Sequence, residues 1–328
     1  MILVFVEHAA GRPERTSLEA LAVARGLAAD ESAGPIEALL IGEGAEAAAG
    51  WLGAQGVATA HVVSDAALVD YAPAAWAAAL GELMAARGAS TVIASGTDRG
   101  NEVMAYVAAR SGLPMAANCL SIEPPDGAGS MALTRQRWAG SLVEVARLTA
   151  PTALVTVAPH AVADEDGDAP GAPAIAAFAP AVSQADLRSR VVGRIEPEKG
   201  KVSLAEARVV VGGGRGVGSS EAFAELEELA DLLGGAVGVS RVVTSAGWRP
   251  HAEQVGQTGL RIAPDLYIAC GISGAIQHIV GCQAAKVILA INKDAEAPIM
   301  QRARYAVIGD LHAIVPAISA EVRRVTGR

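Results

Sequence analysis

Aromatic residues are scarce, at 3% of 328 residues. Surfaces that stack nucleic-acid bases draw on many of them. A formal net charge of -9 also removes the basic groove such a surface needs, so no nucleic-acid partner is expected. Cysteine is nearly absent. Cys119, Cys270 and Cys282 are odd in number, widely spaced and set in apolar runs, which gives neither a disulfide framework nor a zinc site. The six histidines include no pair at metal-ligand helical spacing, so no metal is expected either. Long hydrophobic runs are missing too: none reaches bilayer length. The opening MILVFVEH reads as a strand without the basic region of a leader peptide. These absences point to a soluble, not membrane-embedded, chain in a reducing compartment, most simply a bacterial cytoplasm.

What is present is apolar and periodic. Hydrophobic residues make up 52% and charged ones 19%, enough for substantial cores in two domains of ordinary size. Short Val/Ile/Leu runs alternate with longer Ala/Glu/Leu stretches. Strands are expected over 2–6, 36–41, 59–63 and 91–94, and helices over 17–29, 45–52, 73–87 and 101–111. Pro73 opens its helix, where the missing N–H costs little. Such alternation is the mark of crossover units around a parallel sheet. After Pro114 the pattern changes, and 131–136 and 141–148 read as antiparallel strands around Trp138-Ala139-Gly140.

Residues 159–185 concentrate Pro, Gly, Ala and acid, and read as a connector with little helical or strand period. A strand-like piece over 190–195 follows. From 207 the alternation resumes: strand 208–211, helix 221–233 ended by Gly235, strands at 237–239 and 266–269, helix 275–281, strands 286–291 and 305–308, and a closing helix 311–325. The expected fold class is α/β with two domains, 1–185 and 186–328. Each is a mostly parallel sheet with flanking helices, and the second is doubly wound.

Ligands of open parallel sheets sit outside the carboxyl ends of the strands. Segments 212–219, 271–273, 292–294 and 309–310 all lie at such ends, which suggests one extended ligand. The run GGGRGVGSS (212–220) lets backbone approach an anion, and Arg215 adds a charge suited to a pyrophosphate. It is not a strict G-x-G-x-x-G, and no Lys-Ser/Thr follows as in a triphosphate loop. A plain glycine turn with Ser219 or Ser220 as cap is the other reading.

In GISGAIQH the second glycine falls one place early for a hydrolase elbow, and no base and acid accompany Ser273. Ser273 therefore reads as a cap or a ligand donor, and no catalytic residue is assigned. Gln277 and His278 fall in a first helical turn, where a histidine is unusual unless it faces a ligand; an exposed polar turn is the alternative. QVGQTG offers neutral donors and acceptors suited to a heteroaromatic ring edge, or forms a surface turn. Ser240-Arg241 stands at a strand end. Asp310 reads as a helix N-cap and Asn292 as a turn residue.

Taken together, GGGRGVG, GVSR, QVGQTG, PDLYIACGISGAIQH, AINKDAEAPI and GDL, in that order over most of residues 208–311, closely resemble the alpha subunit of the electron-transfer flavoproteins. The resemblance implies a heterodimer with a beta subunit and one FAD carried mainly by the second domain. It implies cofactor contacts from Arg215 in the glycine loop, from Ser240 and Arg241, and from Val255, Gly256, Gln257 and Thr258. It adds Ser273, Gly274, Ala275, Ile276, Gln277 and His278, and then Asn292, Asp310 and Leu311. His278 would stabilise charge near N1 and the C2 carbonyl of the reduced ring, Arg241 would add a permanent cation, and Thr258 could donate to N5.

The implied role is electron carriage without an organic substrate of the protein's own. Flavin dehydrogenases, commonly the acyl-CoA dehydrogenases of fatty acid beta-oxidation, would be donors, and a membrane quinone oxidoreductase the acceptor. Alternatives are a bifurcating relative, with a second FAD largely in the beta chain, an enzyme of related fold using a thiamine or nicotinamide cofactor, or a nucleotide-sensing module.

Overall fold

Strands covered on both faces need apolar residues at successive positions rather than alternate ones, and both sheets of this protein are built on such runs. The computed structural model describes residues 1–29, 33–126, 129–140, 142–162, 171–191 and 202–327. The chain forms two units, Met1–Arg194 and Ile195–Arg328.

The first unit holds β1 (Ile2–Phe5), a small antiparallel pair of β2 (His8–Ala9) and β3 (Arg12–Pro13), then β4 (Ile36–Ile41), β5 (Val57–Val63), β6 (Thr91–Ser95), β7 (Met115–Ile122), β8 (Ser130–Arg137), β9 (Leu142–Thr149), β10 (Ala153–Val157) and β11 (Ala174–Ala177). Apart from the small pair, these form one sheet in the order β11-β5-β4-β1-β6-β10-β7-β8-β9. It is parallel except for the hairpin partners β7–β8 and β8–β9. Alternate residues of each strand feed opposite faces: Val4, Ala38 and Leu40 pack with α1 (Arg15–Ala28) and α2 (Ala45–Ala49), whereas Leu3, Phe5, Leu39 and Ile41 pack with α3 (Pro73–Arg87) and α4 (Asp98–Ser111). One polar group interrupts this. Glu37 of β4 is buried and bonded to His61 of β5 (2.7 Å) and to Arg87 at the end of α3 (2.9 Å). Burial alone would raise its carboxyl; the Arg87 and His61 bonds outweigh it and hold the pKa below the ordinary range.

The stretch expected to be a connector contributes structure here. Ala174–Ala177 pairs in parallel with β5 as the sheet's edge strand. Phe178, Val182 and Leu187 then pack on the α3–α4 side of the core, and Arg110 pairs with Asp186. An Ala-Ile-Ala-Ala edge strand that is mostly exposed has no period-2 signal to read. Residues 163–170 of that stretch lie outside the described residues. So do 192–195 of the expected strand-like piece, and 190–191 are not in a strand.

The second unit has a five-stranded, fully parallel sheet in the order β13-β12-β14-β15-β16, with β12 (Val209–Gly213), β13 (Ala236–Val239), β14 (Leu266–Cys270), β15 (Val287–Asn292) and β16 (Tyr305–Ile308). The chain adds β13 on one side of β12 and all later strands on the other. This reversal of direction is the switch point of a doubly wound sheet. Its core again splits by parity. Val210, Tyr267, Ala269, Ile288 and Ala290 face the side of α7 (Ile276–Cys282) and α8 (Pro298–Arg302). Val211, Ile268, Cys270 and Ile291 face α5 (Ala224–Leu232), α6 (Arg241–Ser245) and α9 (Leu311–Thr326).

Candidate cofactor site

Strand register decides where the site forms. Gly213 stands level with Val239 on one side and Cys270 on the other, and Cys270 is level with Ile291. Each strand therefore ends on one transverse row. Ser240, Gly214, Gly271 and Asn292 emerge side by side, with Asp310 just beyond the end of β16.

The turn after β12 crosses closely over the turn after β14. Gly214 N donates to Cys270 O (2.9 Å) and Gly216 N to Gly271 O (3.0 Å). A Cβ on Gly214 would stand 2.2 Å from the Gly271 oxygen, so only glycine permits the crossing. This alters the reading of the glycine run. The N–H groups of Gly214, Gly216, Val217 and Gly218 all meet backbone carbonyls rather than facing outward to an anion. Two 3₁₀ turns, Arg215–Val217 and Glu221–Phe223, precede α5, which begins at Ala224 rather than 221. The glycines serve close packing, and Arg215 projects from the loop exposed.

The 254–262 loop ties the β13 end to α7. Val255 N donates to Val239 O (2.9 Å), Gln257 N to Gln277 O (2.7 Å) and Ile262 N to Gly281 O (2.8 Å). Val255 and Gly256 are buried by this, while Gln257 and Thr258 stay exposed. Ser273, Ala275, Ile276 and Gln277 are exposed around the start of α7; Gly274 is buried beneath them. Ser240 is half-buried and opens α6 without a side-chain cap bond, and Arg241 is exposed beside it. Among the described residues neither Arg215 nor Arg241 has a carboxylate partner.

The remaining expected residues brace the site. Asn292 donates to Ile272 O (2.9 Å) and accepts from Asp294 N (3.1 Å). Asp310 caps α9 through His312 N (3.1 Å) and pairs with Lys293 (2.9 Å), and the Lys293 bond holds its carboxyl below the usual range. Leu311 is buried against Gly271. All sixteen residues thus lie on one end of one sheet.

His278 differs from its neighbours. It is 6% exposed, in the first turn of α7, with Nε2 bonded to the hydroxyl of Tyr267 at 2.8 Å. Its Nδ1 has no hydrogen-bond partner among the described residues. Burial pushes the imidazole pKa down to about 4; the nearby Val255 carbonyl, which makes no hydrogen bond of normal geometry with the ring, offsets this in part.

Two residues escaped the sequence reading. Gln254 is 2% exposed; its amide accepts from Thr244 Oγ1 (2.5 Å) and donates to Thr258 Oγ1 (3.0 Å), which leaves the Thr258 hydroxyl hydrogen free to point elsewhere. Tyr267 is the other. A phenol inside an apolar strand needs a partner, and that was the available signal. Among the described residues no cluster of His, Cys, Asp or Glu could hold a metal.

Residues 2–183 match the electron transfer flavoprotein domain, and residues 203–283 match the electron transfer flavoprotein FAD-binding domain. An electron transfer flavoprotein subunit alpha from Thermoanaerobacterium thermosaccharolyticum is 34% identical over 331 residues, covering 99% of this chain and 98% of that protein. The chain belongs to the electron transfer flavoprotein alpha-subunit family. Subunits alpha from Bacillus subtilis, at 33% over 99% of this chain and 98% of that protein, and from Paracoccus denitrificans, at 39% over 92% and 94%, agree with this.

FAD is therefore the cofactor of this flavoprotein domain, and the residues present suit it. The buried ring nitrogen of His278, unpartnered among the described residues, suits a polar atom of the cofactor. The exposed guanidinium groups of Arg215 and Arg241 suit an anionic, partly aromatic ligand, and Ser240, Gln257, Thr258, Ser273 and Gln277 supply neutral donors and acceptors around them. Among the described residues, no helix is long and apolar enough to cross a membrane.

Proposed function

We propose that this chain is the FAD-carrying subunit of a heterodimer completed by a beta subunit. In this reading it takes electrons from flavin dehydrogenases such as acyl-CoA dehydrogenases, passes them to a membrane quinone oxidoreductase, and turns over no organic substrate of its own. The observation that carries the reading is the unpartnered Nδ1 of His278, buried among segments that all converge on one row of strand ends. FAD, when bound, supplies acceptance and release of electrons. The chain's residues do the rest.

Arg215 holds a pyrophosphate by charge. Arg241 is a cation whose effect favours an electron-rich ring over a neutral one. Thr258, steadied by Gln254, presents its hydroxyl hydrogen as a donor. Ser273 and Gln277 add neutral hydrogen bonds, while Asn292, Asp310 and Leu311 keep the strand ends in register. The free, buried thiols of Cys119, Cys270 and Cys282 suit a reducing cytoplasm.

The test is co-expression with a beta-type subunit of the same family. A stable one-to-one complex with one FAD is expected, reduced by an acyl-CoA dehydrogenase with its substrate and reoxidised through a quinone oxidoreductase. A colourless complex, or a flavin that no dehydrogenase reduces, would overturn the reading.

A further inference from the structure

Tyr267 has the largest of the fully buried side chains among the described residues, at 0% exposure. Its hydroxyl has one hydrogen-bond partner there, Nε2 of His278 at 2.8 Å. The neighbouring strand is shaped around it: a Cβ on Gly212 would lie 2.3 Å from the Tyr267 oxygen, so glycine at 212 is what admits the phenol. The pair can share its protons in two ways. If Nε2–H donates to the phenol, the phenol's own hydrogen has no acceptor and Nδ1 is a bare lone pair, leaving two polar groups unpaired. If the phenol donates to Nε2, only the Nδ1–H is left over. The second arrangement leaves less unpaired polarity in a buried place and is favoured.

Burial raises the Tyr267 hydroxyl well above its ordinary value and pushes the nearby Cys270 and Cys282 thiols up to about 12, so all stay neutral at physiological pH. Burial likewise keeps the His278 imidazole neutral.

We infer that Tyr267 is a positioning residue of the flavin site: its hydroxyl donates to Nε2 of His278, fixes the imidazole as the Nδ1–H tautomer, and leaves that N–H, which no acceptor among the described residues meets in hydrogen-bond geometry, to donate to the cofactor. The inference rests on FAD being the ligand of this site. A fixed neutral donor binds an electron-rich acceptor more tightly than an electron-poor one, so its hold strengthens when the ring is reduced.

The measurement uses the FAD-loaded complex with ¹⁵N-labelled histidine, read by correlating ring protons with ring nitrogens. At pH 7 His278 should be neutral, protonated at Nδ1 and bare at Nε2. The Nε2–H tautomer, or an imidazolium, would overturn the inference whatever any variant does. Tyr267→Phe should retain FAD, lose the single tautomer, and lower the flavin midpoint potential. In a His278→Ala background the same change should move the potential no further, which a purely structural tyrosine would not reproduce. If Tyr267→Phe leaves tautomer and potential unchanged while His278→Ala still shifts the potential, Tyr267 has no positioning role but His278 remains at the cofactor. A wild-type complex that binds no FAD would bring down this inference together with the reading it rests on.

Discussion

Arg215 and Arg241 are both exposed guanidinium groups, yet charge asks different things of them. A pyrophosphate carries the same charge before and after electron transfer, so a contact with it stabilises both redox states alike. A ring that gains negative charge does not treat a nearby cation so evenly. Arg215→Ala should therefore weaken FAD binding by about 10- to 100-fold, the size of one charged hydrogen bond, with the potential nearly unmoved. Arg241→Ala should keep FAD and lower the oxidised-to-reduced potential, by about 59 mV for each tenfold loss of preference for the one-electron-reduced state. Arg241→Lys should recover part of this, because an ammonium cannot lay a flat face on a ring. Paired FAD titrations and potentiometry on the two variants decide it: if Arg215→Ala moves the potential at full occupancy while Arg241→Ala only loses FAD, the two assignments must be exchanged.

Secondary-structure elements are joined in the first unit by Glu37, which links β4 to β5 through His61 and to α3 through Arg87. Removing one partner of a buried ionic cluster typically costs about 3 kcal/mol. Glu37→Ala should lower the stability of this unit by about that much at pH 7, measured as a drop in urea midpoint at constant m. The sign with pH follows from the depressed carboxyl. Its stabilisation is present above the unfolded value of an ordinary glutamate and is lost as pH falls through the lower folded value. The gap between wild type and Glu37→Ala should close in acid and stay open from neutral to mildly alkaline pH; a gap constant down to pH 2 would contradict the clamp.

Elements also show where the sequence is legible. Helix α3 announces itself by Pro73 at its start and an Ala/Leu-rich stretch to Arg87, and β4 and β16 by their apolar runs. Strands β7 and β10 and helix α8 went unread, being short or, in β7, interrupted by Asn118 at a positive φ of 57° and a register shift. In the site, the outward-facing residues were legible as motif blocks. Gln254 and Tyr267 were not, because their roles depend on Thr258 and His278, which meet them only after a loop folds back and α7 packs on one face of β14.

The whole molecule consists of two units with separate cores, and only the second contains the FAD-binding match. A ligand stabilises the unit that binds it, by about 2.7 kcal/mol at a hundredfold excess over its Kd. Calorimetry of the full chain should show two transitions, with added FAD raising the one assigned to the second unit. Assignment is possible through Trp248, which packs half-buried against the second unit's core. Equal displacement of both transitions would mean that the units unfold as one. The edge strand β11 bears on the birth of the protein as well as on its folded state. Strand β5 lies between β4 and β11, and Ala60 pairs with Ile175. At ~5–20 residues per second of synthesis, β5 leaves the ribosome on the order of ten seconds before its outer partner exists. During that interval Val57–Val63 is an unpaired apolar edge, a template for any other strand nearby. The nascent chain is thus most exposed to aggregation midway through its own translation, and fragments that stop short of residue 174 keep that exposure permanently.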